Sequence, residues 1–262
     1  MAEKETKSTE VAEVSKPFSE IMTESLSEKI TSLPVGFNTE RFVNNAVALL
    51  NENKQLGDFA REHGTAQIKS GLMKAAFLNL DAMNKEFYLI PYGDKLDFSI
   101  DYRGNVKLCK KYSIRPIKDI YAKLVREDDE FEEKIINGEQ SIDFKPKPFN
   151  NGKIVGAFAV CLFQDGGMIY DTMSIEDLEN TRSASKASNS PAWKKFTGEM
   201  YKKTVLHRLC KHIEIDFEST EQYKYFNEEL EIETDAKEIA KNSIEESAGT
   251  EDFIDTDGFV VE

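Results

Sequence analysis

Residues 154–173 read IVGAFAVCLF-QDGG-MIYDTM. A long β-prone run, a Gln-Asp-Gly-Gly turn and a second short run predict a β-hairpin, Ile154–Phe163 paired with Met168–Met173. Gly166-Gly167 joins strand to strand, so it is a hairpin turn and not a phosphate-binding loop. Downstream, Ser174 followed by Asp177 predicts a capped helix to about Arg182, and Ser185 to Ser190 is a small, polar loop. Ser190 as N-cap and Pro191 at the first helical position then open a helix of about twenty residues ending near His212. Upstream, Ile142–Phe144 and Ile117–Val125 read as strands, the former broken by Lys145-Pro146-Lys147-Pro148.

Further upstream, Arg103 to Tyr112 has helical period, and Phe87–Ile90 with Leu96–Tyr102 around Gly93-Asp94 predict another hairpin. Asn38 and Thr65 cap two amphipathic helices, and Phe18–Leu33 supports only a weak one. Hairpins interrupted by a helix and flanked by helices predict an α+β fold, a small twisted antiparallel sheet packed against helices. The expected organisation is a polar N-terminal segment over 1–35, a core over 36–225 and an acidic, disordered tail over 226–262. No apolar run approaches the ~18 residues a membrane helix requires, the first sixteen residues lack a signal-peptide pattern, and three scattered cysteines form no disulfide framework. These features place the protein in the cytoplasm.

The net charge of −14 hides a strong asymmetry. Residues 213–262 hold 17 acidic residues against three lysines, so residues 1–212 carry no net charge. Within them, Asp101–Arg126 has eight Lys/Arg against two Asp, and Arg182–His212 has eight against Glu199 alone. Two basic blocks precede one acidic tail, and the tail is expected to compete for the basic surface or to dock a partner.

On the first block's helix, Arg103, Lys107, Lys110 and Lys111 share one stripe. No acidic neighbour in that helix relieves their repulsion, which favours a row of phosphate contacts over a merely solvated face. Gly104 beside Arg103 would let a phosphate approach the helix N-terminus. In the second block, Trp193, Phe196, Met200, Lys203, His207 and Lys211 make one ridge, aromatic and then basic, suited to a strand's bases and phosphates. The competing reading buries Trp193 and Phe196. Val205, Leu206, Leu209 and Ile213 form the core side, Arg208 flanks the basic half, Lys202 falls on the far side, and Lys186 is placed to reach the same groove.

Enzyme signatures are absent from the sequence. His207, Cys210 and His212 lack a second ligand pair, no nucleophile has an orienting acid and base, and Asp128-Asp129 sits in a polar turn. No catalytic residue, metal or cofactor is expected. The rival readings are a metal-dependent nuclease and a non-enzymatic scaffold.

The chain resembles the RecT family of phage-type single-strand annealing proteins. The matching stretches are Tyr88–Tyr92, Asp101–Gly104, Leu124–Phe131, Ser185–Ala187, Trp193, Glu199–Thr204 and Arg208-Leu209, within roughly residues 36–215. Asn79, Ala82 and Asp101 depart from the family pattern. The resemblance implies an ATP-independent recombinase of a bacterial host cell, not an enzyme, that assembles as rings or helical filaments. Such a multimer coats single-stranded DNA and pairs it with its complement, beside a phage-encoded exonuclease and host single-strand-binding protein. It places a DNA-binding groove on Arg103, Lys107, Lys110, Lys111, Arg126, Lys186, Trp193, Lys202, Lys203, Arg208 and Lys211. Alanine at Lys202 or Arg103 is then expected to weaken binding about equally on all sequences.

Overall fold

The computed structural model describes residues 17–185, 188–189 and 191–228. Lys186 and most of the expected acidic tail lie outside the described residues. The chain forms two compact units, residues up to Asn84 with Leu89–Phe98, and Lys85–Tyr88 with the residues from Ser99 onward.

The first unit is mainly helical: α1 (Phe18–Glu28), α2 (Thr39–Glu52), α3 (Lys54–His63) and α4 (Ala66–Phe77). Asn38 caps α2 as expected, its side chain accepting the Arg41 N–H at 2.9 Å. Asn53 both ends α2 and caps α3. The sequence reading missed α3, because only Leu56 and Phe59 of that helix are buried, too few to draw a stripe. The boundary between the units runs through the strands of the expected hairpin, β1 (Phe87–Tyr92) and β2 (Lys95–Ile100), turned at Gly93.

The second unit is built on β3 (Ile117–Arg126), β6 (Ile154–Phe163) and β7 (Met168–Ser174), antiparallel in the order β3-β6-β7. The central strand β6 buries both faces, which explains its near-continuous apolar run. Ala157, Ala159, Cys161 and Phe163 belong to a core shared with α5 (Tyr102–Tyr112), α6 (Ile175–Ala184) and α8 (Thr197–Lys211). Phe158 and Val160 belong to a separate cluster with residues of the hairpin β4 (Glu130–Ile136) and β5 (Glu139–Lys145). There Phe131 and Phe144 pack on Phe158 at ring-centroid distances of 5.2 and 5.0 Å. The sequence reading gave β5 only its centre and missed β4. Three glutamates disguise β4, and its charges are matched across the pair by Lys145 on Glu130 and Asp143 on Lys134.

Ser174 and Asp177 form the expected capping box of α6. The single long helix expected from Pro191 is instead two, α7 (Pro191–Lys195) and α8. Phe196 leaves helical geometry at φ −129°, ψ 40°, and the Thr197 hydroxyl donates back to the Trp193 carbonyl at 2.7 Å. At Gly198 α8 packs close to the sheet, where a β-carbon would lie 2.8 Å from Leu124 Cδ1 at the tip of its side chain.

Cys109, Cys161 and Cys210 are free and buried in the shared core. Burial pushes the Cys161 thiol up to about 12, and a hydrogen bond with Cys109, then burial, raises that of Cys210. The folded protein at about pH 8 should therefore react with a disulfide reagent about a thousandfold more slowly than the urea-unfolded chain, which should titrate all its thiols. Rapid labelling of the folded protein would contradict this burial.

Candidate nucleic-acid interface

One helix from each basic block, α5 and α8, lies in the second unit, and the two pack against each other. Helices α5 and α8 lie side by side and run parallel, joined by three contacts spaced about one helical turn apart. Asp101 accepts from Lys203 Nζ at 2.8 Å, Asn105 Nδ2 meets His207 Nδ1 at 2.9 Å, and Cys109 Sγ lies 3.9 Å from the Cys210 carbonyl. Burial of Leu108 and Cys109 on α5, and of Val205, Leu206 and Leu209 on α8, holds the pair against the protein interior. That leaves Arg103, Lys110 and Lys111 exposed along α5, with Lys203, His207 and Lys211 following one face of α8.

Asp101 is the junction of this arrangement. It is 5 % exposed, caps α5 by accepting the Arg103 N–H, and receives the Lys203 ammonium through its other oxygen. Beside it stand two tyrosines. Tyr88 is 42 % exposed, with Lys203 Nζ 6.0 Å from its ring centre, and Arg103 lies over Tyr102 while donating to its hydroxyl at 3.3 Å. Partial burial, reinforced by Asp101, raises the Tyr88 phenol above its usual range, so it stays neutral. Aromatic faces next to cations suit bases next to phosphates.

The family description "RecT family" matches residues 40–241. The chain belongs to the RecT family. Protein RecT of Escherichia coli (strain K12) is 28% identical over 205 residues, 74% of each chain. The match runs beyond the expected end near residue 215. Membership makes this a single-strand DNA annealing protein of recombination, in agreement with the resemblance read from the sequence.

Within this RecT family chain, several residues stand differently from expectation. Trp193 is corrected from the surface ridge to the core: it is 4 % exposed and packs with Tyr201 and Arg182, while Phe196 is 62 % exposed. The break at Phe196 separates the aromatic half of the ridge from Lys203, His207 and Lys211. Gly104 is buried rather than open to a phosphate. A β-carbon there would lie 2.2 Å from the Glu86 carbonyl oxygen. Nor is the α5 stripe uncompensated, because Glu86 pairs with Lys107 at 2.6 Å and Asp119 with Lys110 at 3.2 Å. The hydrogen bond from Lys110, helped by the Ile120 N–H, holds the Asp119 carboxyl below the usual range.

Other expected groove residues are engaged elsewhere. Arg208 binds Asp171 of β7 at 3.0 Å, and Lys202 pairs with Glu199 at 2.6 Å. Arg126 donates to the Gly152 carbonyl at 2.7 Å, at the opposite end of β3 from Ile117. The Asp128-Asp129 pair laces that same turn. Asp128 holds Lys147, and Asp129 accepts from Asn150 and from the Lys147 and Arg126 N–H groups. Among the described residues no three His, Cys, Asp or Glu side chains gather to hold a metal, and no helix is long and apolar enough to cross a membrane.

The sequence reading did not single out Tyr88, the exposed aromatic beside Lys203. Its signal was the alternation of β1, where Phe87 and Leu89 are buried while Tyr88 between them is exposed.

Proposed function

We propose that this chain works as an ATP-independent, non-enzymatic multimer that coats single-stranded DNA along the α5/α8 face and presents it to a complementary strand. The observation that carries this reading is the parallel pairing of the two basic helices through Asp101–Lys203 and Asn105–His207. Phosphate–phosphate repulsion is the obstacle to annealing. Cations on one face neutralise the first strand and release its condensed counterions, which favours binding entropically. Backbone contacts leave base edges free, so pairing itself supplies specificity. Each correct stacked step contributes of order 1.4 kcal/mol, enough over tens of bases to drive the exchange without nucleotide hydrolysis.

Arg103, Lys107, Lys110, Lys111, Lys203 and Lys211 are the proposed phosphate contacts, with Tyr88 and Tyr102 as base contacts. Arg126, Lys202 and Arg208 act at the margins or through the fold; Lys186 is a further proposed contact that lies outside the described residues. Residues 36–225 form the working core. Subunits laid end to end lengthen the cationic track, and each bound subunit raises the local concentration of strand for its neighbour. The setting is the bacterial cytoplasm, beside a phage-encoded exonuclease and the host single-strand-binding protein.

Two complementary oligonucleotides mixed with the protein, without ATP, should form duplex well above the spontaneous rate. Strand shortening with Mg²⁺ and no annealing would instead favour a nuclease.

A further inference from the structure

We infer that the acidic segment 229–262 of this same chain docks on the cationic stripe of α5 and competes there with DNA, an inference that rests on the α5/α8 reading above. Two observations support it: the position at which the described chain ends, and the charge of residues 229–262.

After α8 the chain doubles back onto the C-terminal end of α5. Ile114 N–H donates to the Glu214 carbonyl at 3.1 Å, and Asp216 N–H donates to the Tyr112 carbonyl at 2.8 Å. The Phe217 ring lies 5.0 Å from that of Tyr112, whose hydroxyl accepts from Gln222 Nε2 at 2.9 Å. Phe226 packs on Phe217 at 5.3 Å, anchoring the last described helix, 220–228, to the same corner. Lys111 Nζ sits 4.6 Å from the centre of the Tyr112 ring on which this anchor is built. The helix from which the acidic segment continues is thus anchored beside one end of the stripe.

The 34 residues from 229 to 262 carry twelve acidic side chains against Lys237 and Lys241. Between Lys111 and Arg103 the stripe measures about 12 Å at 1.5 Å per residue. Extended chain covers that in about four residues, so length is no constraint. Among the described residues Arg103 and Lys111 make no ion-pair contact with a carboxylate, and both are exposed. A tethered polyanion next to them acts at an effective concentration of about millimolar. A short DNA strand must displace it. A long strand gripped by many subunits does so readily, which would bias loading toward long single-stranded tracts.

The test uses the full-length chain with the twelve acidic residues of 229–262 changed to the corresponding amides. At about 50 mM salt this variant should bind a short single-stranded oligonucleotide about tenfold more tightly than the unaltered protein, and at about 0.5 M salt the two should converge. In the unaltered protein, carbodiimide should join tail carboxylates to Lys110 or Lys111, and saturating oligonucleotide should abolish those links. Equal affinities at low salt would overturn the inference and leave the tail to a protein partner. Tighter binding with cross-links mapped away from α5, or links unaffected by DNA, would overturn the seat proposed here. If neither protein binds the oligonucleotide at any salt, it is the α5/α8 reading that fails.

Discussion

Gly104→Ala lowers the urea midpoint by the equivalent of about 3 kcal/mol, the upper end of what overpacking costs. The added methyl would lie 2.2 Å from the Glu86 carbonyl oxygen and 2.7 Å from Ile100 Cγ2. A backbone carbonyl cannot swing aside as a side-chain tip can, so α5 must lift. Lifting it disturbs the hydrogen bond from the Asp101 N–H to the Glu86 carbonyl, 3.0 Å long, and with it the seat of Lys203. The contrast is Gly57→Ala in α3, where the nearest atom would be the Leu50 carbonyl oxygen at an ordinary 3.6 Å. There the helix-propensity gain of about 0.5–1 kcal/mol should show as stabilisation. Equal responses at the two glycines would refute the close contact at Gly104.

The second large effect concerns binding. Arg103→Gln combined with Lys111→Gln should weaken binding to any single-stranded sequence by roughly one to two orders of magnitude near 0.1 M salt. The slope of log K against log salt should become shallower by about 1.4, two contacts at about 0.7 each. Tyr88→Ala should also weaken binding, by about tenfold, while leaving the slope unchanged, because stacking releases no counterions. Lys202→Gln should change the slope less than Arg103→Gln, since its ammonium already has Glu199 at 2.6 Å. An unchanged slope in the double variant would remove α5 from the interface.

Much of this arrangement was legible in the chain. The β6–β7 hairpin, the α6 capping box and the α5 stripe all follow from local pattern, because each is decided by residues within a few positions. Counter-charges were not. Glu86, Asp119 and Asp171 reach Lys107, Lys110 and Arg208 from strands or loops distant in sequence, so no helical wheel displays them. Trp193 misled for a related reason. Its spacing to Lys203 is helical, but the turn at Phe196 interrupts the helix and sends the indole into the core. Strand β4 escaped because three glutamates interrupt its apolar pattern, and Glu130 meets Lys145 only once β5 lies alongside.

Asp101 and Glu86, 5 % and 7 % exposed, give Lys203 and Lys107 permanent companions inside the protein. If these lysines hold DNA as proposed, then when a finished duplex departs the two ammonium groups fall back on an anion already in place and do not have to recruit ions from solution. Letting go is therefore less uphill than it would be from bare lysines, and a clasp of this kind favours turnover over retention.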